Sequence, residues 1–297
     1  MVGEIEIRTQ GRLVRIARIE GDKYEFLDDP KPLIAQLPNC GTRIDLFTFM
    51  QRITDPEPRF PYPMEWDNLA ALPISSFDSW WNHQVDAKTR NMVRKAEKKG
   101  VEIREAPFDD DFVRGISQVY NETSIRQGRR FRHYGKSVEE VRKEEGTFGS
   151  RAVFLGAYFE GSMIGFVKLV CDSAGTQAGL MNILAMIEHR DKAPTNALLA
   201  EAVRWCASRG VHYLVYSNYT YANKKTDSLQ DFKRNNGFKQ IDLPRYYVPL
   251  TAMGHIAVRL RLHHRWIDRF PEPVIAALRG LRNLWHKRRL GGSKGAT

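Results

Sequence analysis

The chain has 297 residues, of which 42% are apolar and 27% charged, and its formal net charge is +11. This composition is ordinary for a soluble globular protein, and the sequence shows no internal repeat or low-complexity run. The first residues hold no apolar signal core and no apolar run reaches the length of a membrane span, which favours a cytoplasmic protein. Three widely spaced cysteines without a C-x-x-C pair predict free thiols, not a disulfide framework.

Two short strands are predicted in the first 60 residues, over 13–19 and 43–49, with turn-rich segments between them. The proline-dense stretch 55–63 predicts an extended connector. A helix follows from Asp86, a residue type that caps helices, and Gly100 suits its end. This helix is rich in Lys and Arg, so it fits either a solvated surface or a contact with phosphates.

From residue 101 onward, the apolar periodicity predicts an alternation of strands and helices. In order, the segments are a strand over 101–107, helices over 109–123 and 137–145, two strands within 151–171, a strand over 178–186, a helix from Pro194 to Ser208, a strand over 211–217, a helix over 228–236 and a final pair of strands over 238–250. The strands are almost continuously apolar, which is typical of a central sheet covered by helices on both faces. An α/β fold with a mixed sheet is therefore predicted.

This order of elements over 101–250 resembles the GNAT acyltransferase superfamily. Two stretches, WWNHQVDAKTRNMVRKAEKKGVEI (80–103) and SLQDFKRNNGF (228–238), are similar to segments of its Fem-type branch, the aminoacyl transferases of peptidoglycan synthesis. The resemblance divides the chain into three predicted parts: a smaller N-terminal α+β part (1–99), a GNAT-like domain with a mixed central sheet flanked by helices (100–250) and a basic helical tail (251–297).

GNAT enzymes bind the pyrophosphate of acyl-CoA at a [QR]-x-x-G-x-[GA] motif between a strand and the next helix. Aligned here, Arg190 takes the first place, while Ala193 and Thr195 stand where the family has small residues. The first turn of a helix offers backbone N–H groups to an anion, although Pro194 removes one of them. The resemblance implies acyl-CoA as the donor, with no tightly bound cofactor. A helix start that binds nothing is the alternative.

The predicted donor-binding residues lie at and beyond this strand end. They are Ile187, Arg190, Lys192, Thr195, Asn196, Ala197 and Asn218. The N–H groups of Thr195, Asn196 and Ala197 are expected to be free in the first helical turn. The resemblance implies that the backbone N–H near Ile187 stabilises the oxyanion of the reaction. It also implies that the Asn218 side chain hydrogen-bonds a pantetheine-like arm of the donor.

Four residues are candidates for proton transfer during acyl transfer. Glu188 and His189 end the same predicted strand, and either could act on the acceptor directly or through water. GNAT enzymes often use a tyrosine beyond the next strand to protonate the leaving thiolate, and the resemblance gives that role to Tyr219 or Tyr221. The mixed charge of residues 188–191 fits a solvated loop equally well.

The segment YNETSIRQGRRFRHYGK (120–136) concentrates polar groups between two predicted helices, where GNAT folds place an acceptor-side loop. The candidate acceptor-binding residues are Asn121, Glu122, Arg126, Gln127, Arg129, Arg130, His133 and Tyr134. Arginine forks match the oxygens of carboxylates and phosphates, which suits a glycan or peptide-like acceptor. No H-x-x-H, C-x-x-C or carboxylate cluster suggests a metal.

The positive charge is concentrated at the C-terminus, since residues 259–297 carry +8 and the rest of the chain only +3. Within 271–290, Val274, Leu278, Leu281 and Trp285 follow helical spacing, with basic residues on the opposite side. This pattern predicts contact of the region 259–290 with an anionic membrane surface, so the protein is expected at the inner membrane face. Docking of the apolar stripe on the domain is the alternative.

Together these features predict an acyl or aminoacyl transferase. Its donor would be acyl-CoA or aminoacyl-tRNA, and its acceptor an amine or hydroxyl of a cell-envelope or polysaccharide precursor. The alternative is a degenerate GNAT-fold protein that binds a ligand or a membrane-associated partner without catalysis, which the missing glycines and the lack of an obvious general base favour.

Overall fold

The computed structural model describes residues 5–220 and 228–264, which form a ten-stranded mixed sheet and a separate two-stranded hairpin. The strands are β1 (Ile7–Gln10), β2 (Ile16–Ile19), β3 (Leu46–Met50), β4 (Met64–Pro73), β5 (Glu102–Ala106), β6 (Ile125–Arg126), β7 (Arg129–Arg130), β8 (Ala152–Phe159), β9 (Ser162–Cys171), β10 (Gln177–Ala185), β11 (Tyr213–Val215) and β12 (Lys239–Pro249). The order in the sheet is β1-β2-β3-β12-β4-β11-β10-β9-β8-β5, and β6 pairs with β7.

Helices pack on both faces of the sheet. Those in the described residues are α1 (Lys31–Gln36), α2 (Phe77–Ser79, continuing as a π-helical turn over Trp80–Gln84), α3 (Ala87–Lys98), α4 (Asp110–Asn121), α5 (Val138–Glu145), α6 (Pro194–Ser208), α7 (Ser228–Asn235) and α8 (Ala252–Arg259). Helices α3 and α6 share a core with Val167 of β9, while α4 and α5 share another with Phe166. Successive strand residues point to opposite faces, so the predicted two-sided covering is confirmed.

Two helix starts have side-chain caps, of which the one at Asp86 was predicted. The Asp86 carboxylate accepts a hydrogen bond from the Thr89 N–H at 2.6 Å. At α5, the Ser137 hydroxyl accepts from the Glu140 N–H, and the Glu140 carboxylate accepts from the Ser137 N–H, which completes a capping box. Each such cap contributes about 1 kcal/mol to stability.

The N-terminal strands belong to the same sheet as the rest of the chain. Strand β4 lies between β12 and β11, with Asn68 opposite Asp242 and Leu72 opposite Leu214. The buried Arg245 of β12 donates to Asp67 at 2.8 Å and to Asp22 at 2.7 Å. The division of the chain at residue 99 stays a prediction, and the hydrogen-bonded sheet crosses that point.

The predicted pair of strands over 238–250 is wrong, because one continuous strand, β12, spans this stretch. Pro244 resembles a strand break in the sequence, but its fixed φ suits an extended backbone. Its carbonyl accepts the Gln51 N–H, and the ladder with β3 begins only at Arg245. The missing N–H of Pro244 therefore lies just outside the ladder between β12 and β3.

The described part of the tail consists of α8 and the five residues after it. The Thr251 hydroxyl accepts the Gly254 N–H, and Gly254 and Ala257 are buried against the sheet. No helix among the described residues has the length and apolar character to cross a bilayer. The amphipathic pattern predicted over 271–290 lies outside the described residues.

Candidate functional site

A cleft opens where β10 and β11 part. Strand β10 pairs with β9 as far as Ala185, but its parallel pairing with β11 covers only Gln177–Gly179. The Met186 N–H donates to the Ile164 carbonyl on the β9 side. In an antiparallel ladder, consecutive residues point their backbone N–H and C=O groups to opposite edges, so those of Ala185 point away from β9. The last part of β10 thus has one edge that no strand of the described residues covers.

Helix α6 starts beside this open edge. Ala193 adopts the left-handed conformation (φ 54°, ψ 41°) and Pro194 is the first helical residue. Among residues 5–220 and 228–264, no side chain caps the helix. The Asn196 and Ala197 N–H groups both point at the Ala193 carbonyl, at 3.1 and 3.4 Å, so the prediction that they are free is wrong. The Thr195 N–H has no acceptor among the described residues and is available to an anion.

We call this space the donor cleft, because residues predicted to bind the donor line it; its volume is about 490 Å³. The described residues that line it are Met92, Arg126, Gln127, Ile183, Leu184, Ala185, Met186, Ile187, Arg190, Ala193, Pro194, Thr195, Asn196, Tyr216, Leu229 and Phe232. Two of these side chains are arginines and none is acidic. The structure thus brings together predicted donor residues with two residues, Arg126 and Gln127, that were assigned to the acceptor.

Arg126 is the most constrained polar side chain of the donor cleft. Its guanidinium donates to the Ala185 carbonyl and to Glu122, both at 2.9 Å, and lies 4.9 Å from the centre of the Phe131 ring. Its Nε is buried and has no hydrogen-bond partner among the described residues. Burial lowers the pKa of Arg126 and Glu122 opposes that shift, while arginine stays protonated in proteins.

The predicted catalytic residues at the end of β10 lie at the rim of the cleft. The Glu188 side chain is exposed, and its backbone N–H donates to Glu122 at 2.8 Å. The His189 ring is partly buried, with Lys192 3.3 Å from its Nδ1. Neither side chain lines the cleft, whereas Ile187 does and its N–H has no acceptor in the described part of the chain.

Asn218 and Tyr219, which follow β11, are not among the residues that line the cleft. Asn218 donates from Nδ2 to Asp67 at 2.7 Å, and its carbonyl accepts from Lys233. Tyr219 is partly buried against the core between α3, α6 and the sheet. Tyr221 lies outside the described residues. The roles given to these residues stay predictions.

The polar segment after α4 divides among three locations. Asn121 organises the loop, because it donates to the Lys136 carbonyl at 3.1 Å and accepts the Gly135 N–H at 2.7 Å. Arg129 and Arg130 form the exposed strand β7. Tyr134 is also exposed, at 47%. Arg129 pairs with Arg126 across the β6–β7 hairpin. None of the residues Asn121, Arg129, Arg130 and Tyr134 is among those that line the donor cleft, and His133 lines a different cavity.

That second cavity, which we call the polar cavity, has a volume of about 850 Å³ on the face covered by α4 and α5. It is lined by Arg8, Glu20, Arg132, His133, Lys136, Glu140, Lys143, Glu144, Glu145, Thr147, Lys168, Met181 and Asn182. His133 is 7% exposed and stacks 4.3 Å from the Tyr120 ring. Burial, with Arg132 and Lys136 nearby, lowers the pKa of His133 to about 4.

The floor of the polar cavity is a network that was not predicted. Lys168 is 1% exposed and donates to the Glu145 carbonyl at 2.6 Å and to Thr147 at 2.8 Å. The Glu145 carboxylate accepts from Tyr120 at 2.7 Å and from Asn182 at 2.9 Å. Burial lowers the pKa of Lys168, while Glu145 opposes the shift. A lysine inside the apolar run SMIGFVKLVC was the available signal in the sequence.

The two cavities adjoin along β10. Asn182 lines the polar cavity, and the next residue, Ile183, lines the donor cleft. A register shift between Leu180 and Asn182 marks a β-bulge at this point of the strand. Bulges re-aim side chains beside functional sites, and here one strand borders both spaces.

Comparison with solved structures defines the class of fold. A crystal structure of FemX aligns over 86% of this chain and 85% of its own, with 11% identity and a TM-score of 0.57. The C-terminal domain of a putative lysylphosphatidylglycerol synthetase from Agrobacterium fabrum aligns over 86% and 83%, with 13% identity and a TM-score of 0.55. The chain therefore has a GNAT/Fem-like fold, as the resemblance implied.

A third similar structure is L-PGS from Bacillus licheniformis, with 13% identity, a TM-score of 0.53 and coverage of 86% of this chain and 85% of the other. No protein-family model matches the sequence. No curated protein matches it significantly. At these identities the likeness concerns the fold alone, so the site has to be interpreted from its own geometry.

Proposed function

We propose that this chain transfers an acyl or aminoacyl group from a phosphorylated carrier to an amine or hydroxyl. The observation that carries the proposal is the juxtaposition in the donor cleft of the Thr195 N–H, the side chain of Arg126 and the exposed side chain of Arg190. Two cations and a helix N-terminus, without an acidic side chain in the described lining, favour an anion.

The open edge of β10 suits the rest of such a carrier. A pantetheine arm or an aminoacyl ester presents amide or carbonyl groups, and Ile183 and Ala185 of this edge line the cleft. The Ala185 carbonyl already accepts from Arg126, so Arg126 is also part of this edge. A carrier whose phosphate lies at Thr195 can direct its reacting carbonyl along this edge toward the Ile187 N–H. A preorganised backbone donor at that point would stabilise the oxyanion of the transition state.

In this proposal the acceptor approaches β10 from the polar cavity. Its lining carries both charge signs, with Arg132, Lys136 and Lys143 among the cations and Glu140 and Glu144 among the carboxylates. This mixture suits a polar acceptor such as a precursor of the cell envelope. The similarity to FemX and to a putative lysylphosphatidylglycerol synthetase supports an aminoacyl group and an envelope acceptor, while acyl-CoA remains the other donor.

A specific observation favours a second candidate function, binding without catalysis. No carboxylate or imidazole is among the described lining residues of the donor cleft, and Glu188 and His189 lie at its rim. Acyl transfer to an amine requires a proton acceptor, directly or through water. A chain that binds the carrier but has no general base within reach would act as a ligand-binding module.

Ligand binding and turnover distinguish these functions. Thermal unfolding of the full chain is measured with acetyl-CoA, a long-chain acyl-CoA and an aminoacyl-tRNA, because a ligand at 100 times its Kd adds about 2.7 kcal/mol of stability. Arg190→Gln should abolish the shift, and Arg129→Gln, an exposed arginine outside the cleft, should retain it. Loss of the donor's acyl group to an added amine would establish transfer. A shift without turnover favours the binding module, and no shift with any carrier contradicts both functions.

A further inference from the structure

Two consecutive histidines and a glutamate meet at the root of the basic tail. Glu65 lies on β4, and His263 and His264 follow α8. His264 Nε2 is 2.9 Å and His263 Nε2 is 3.3 Å from the same carboxylate oxygen, Oε1 of Glu65. One ligand atom of each residue lies within 4.8 Å of the other two. We call these three residues the His-His-Glu cluster.

The hydrogen bond of His263 to a backbone carbonyl determines which of its two ring nitrogens carries the hydrogen. Its Nδ1 lies 3.3 Å from the Ala257 carbonyl oxygen, a pure acceptor, so Nδ1 carries the hydrogen. In the neutral ring, Nε2 then presents a lone pair to a carboxylate oxygen. Two acceptors at that distance need a cation between them, which is either a proton or a metal ion.

The chemistry of the three groups matches a transition metal. Two imidazoles and a carboxylate are a common ligand set for Zn²⁺, and metal-bound histidine usually donates its other N–H to a carbonyl or carboxylate. When Zn²⁺ lies about 2.0–2.1 Å from each ligand atom in tetrahedral geometry, two ligand atoms are about 3.3 Å from each other. The distance from His263 Nε2 to Glu65 is 3.3 Å and that from His264 Nε2 is slightly shorter.

Burial of the cluster also suits a bound ion. The His263 side chain is 2% exposed and packs between the Tyr247 and His264 rings, with centroid distances of 4.3 and 4.4 Å. Glu65 and His264 are each about one-third exposed, at 33% and 34%. One ligand is thus rigidly held and two face solvent, which leaves a path for the ion and a position for water.

We propose that the His-His-Glu cluster binds one Zn²⁺ or a similar divalent transition-metal ion. The ion joins the segment after α8 to β4. The sequence contains no recognisable metal motif because Glu65 and His263 are 198 positions apart. Strand β4, which carries Glu65, pairs with β12, and β12 is followed by α8 and the two histidines. This pairing brings Glu65 close to His263 and His264.

The test uses the full-length chain, with any affinity tag removed and metal stripped by a chelator. Zn²⁺ is titrated in competition with a chromophoric chelator, and Co²⁺ in its place reports the coordination geometry by visible absorption. The wild type should bind one ion per cluster. His264→Ala and Glu65→Gln should each weaken binding at least about tenfold and change the Co²⁺ spectrum.

His255→Ala is the matched control, because His255 is exposed on α8 and outside the cluster. It should bind Zn²⁺ with the affinity of the wild type. His264→Ala also guards against misfolding, since its side chain is partly exposed. Equal Zn²⁺ affinity in wild type and His264→Ala, or no Zn²⁺ binding by the wild type, would overturn the proposal. Acyl-transfer activity is not the readout, so this result stands apart from the proposed function.

Discussion

The guanidinium group of Arg126 donates a 2.9 Å hydrogen bond to the backbone carbonyl of Ala185, the last residue of β10. A side chain from the loop after α4 thereby occupies the strand edge at the mouth of the donor cleft. Since Arg126 also pairs with Glu122, two of its donors are fixed while Nε has no partner among the described residues. This geometry presents a positioned positive charge to the cleft.

Arg126→Lys should weaken carrier binding at least about tenfold, because lysine keeps the charge but loses the fork that reaches both Ala185 and a ligand. Isothermal titration with the carrier that stabilises the wild type measures the change. Arg129→Lys, on the exposed strand β7, is the matched control and should bind as the wild type does. Equal affinities for the two variants would remove Arg126 from the donor site.

Thr195→Glu separates helix stability from anion binding. A carboxylate in the first turn of α6 complements the helix dipole, so the free energy of unfolding should stay equal or rise by about 0.3–1 kcal/mol. The same charge repels a phosphate at the Thr195 N–H, so carrier binding should be lost. Denaturant unfolding and titration measure the two effects, with Thr195→Gln as the neutral control. Undiminished binding by Thr195→Glu would contradict the placement of the phosphate.

Ala193 holds a backbone conformation that favours glycine, with φ 54°. The left-handed conformation costs a residue with a Cβ about 1–2 kcal/mol, and glycine avoids this cost. Glycine also has a larger conformational entropy in the unfolded chain, which offsets part of the stabilisation. Ala193→Gly should therefore be neutral or stabilising by about 1 kcal/mol. Ala193→Val should be destabilising, because a β-branched residue fits this region poorly. A more stable valine variant in denaturant unfolding would contradict the assigned backbone.

His133 should make stability pH-dependent under mildly acidic conditions. Its pKa is lowered from 6.5 in the unfolded chain to about 4 in the folded protein. Between these two pH values the ring is protonated in the unfolded chain and neutral in the folded protein, which favours unfolding as the pH falls. The stability linked to His133 is thus present above that window and lost as the pH falls through it. The free energy of unfolding should fall more between pH 6.5 and pH 4 for the wild type than for His133→Gln. Identical pH profiles would show that His133 titrates normally.

Deletion of residues 265–297 should abolish binding to anionic lipid vesicles. Each Lys or Arg near an anionic surface contributes about 1 kcal/mol, and most of the net positive charge lies in the region 259–297. The deletion starts after His264 because Gly254 and Ala257 of α8 are buried in the fold. Co-sedimentation with anionic and with neutral vesicles is the measurement. Unchanged sedimentation of the shortened chain with anionic vesicles would contradict the membrane prediction.

Local signals in the sequence predicted much of the fold over 101–250. The Asp86 cap and the proline start of α6 act within a few residues, so their structural effect can be predicted from the local sequence. Strand β4 was not predicted, because its buried residues occupy only its second half, after a polar beginning. Long-range pairing with β11 and β12 stabilises that strand.

The candidate site was predicted in part. Residues near the α6 start were expected together because strand end and helix start adjoin in sequence, and the structure places Ile187, Arg190 and Thr195 in one cleft. The segment after α4 was predicted to form one acceptor-binding surface. In the structure, Gln127 lines the donor cleft and His133 lines the polar cavity. The Lys168 network and the His-His-Glu cluster depend on distant residues, so local spacing could not reveal them.

The most direct test of the donor cleft is a crystal structure of the chain soaked separately with coenzyme A and with a 5′-phosphorylated CCA oligonucleotide carrying an amide-linked amino acid. One of these carriers should place a phosphate oxygen about 3 Å from the Thr195 N–H, with Arg126 or Arg190 as a second partner. Crystals in which both carriers bind elsewhere, or in which neither places a phosphate at the start of α6, would contradict the central claim.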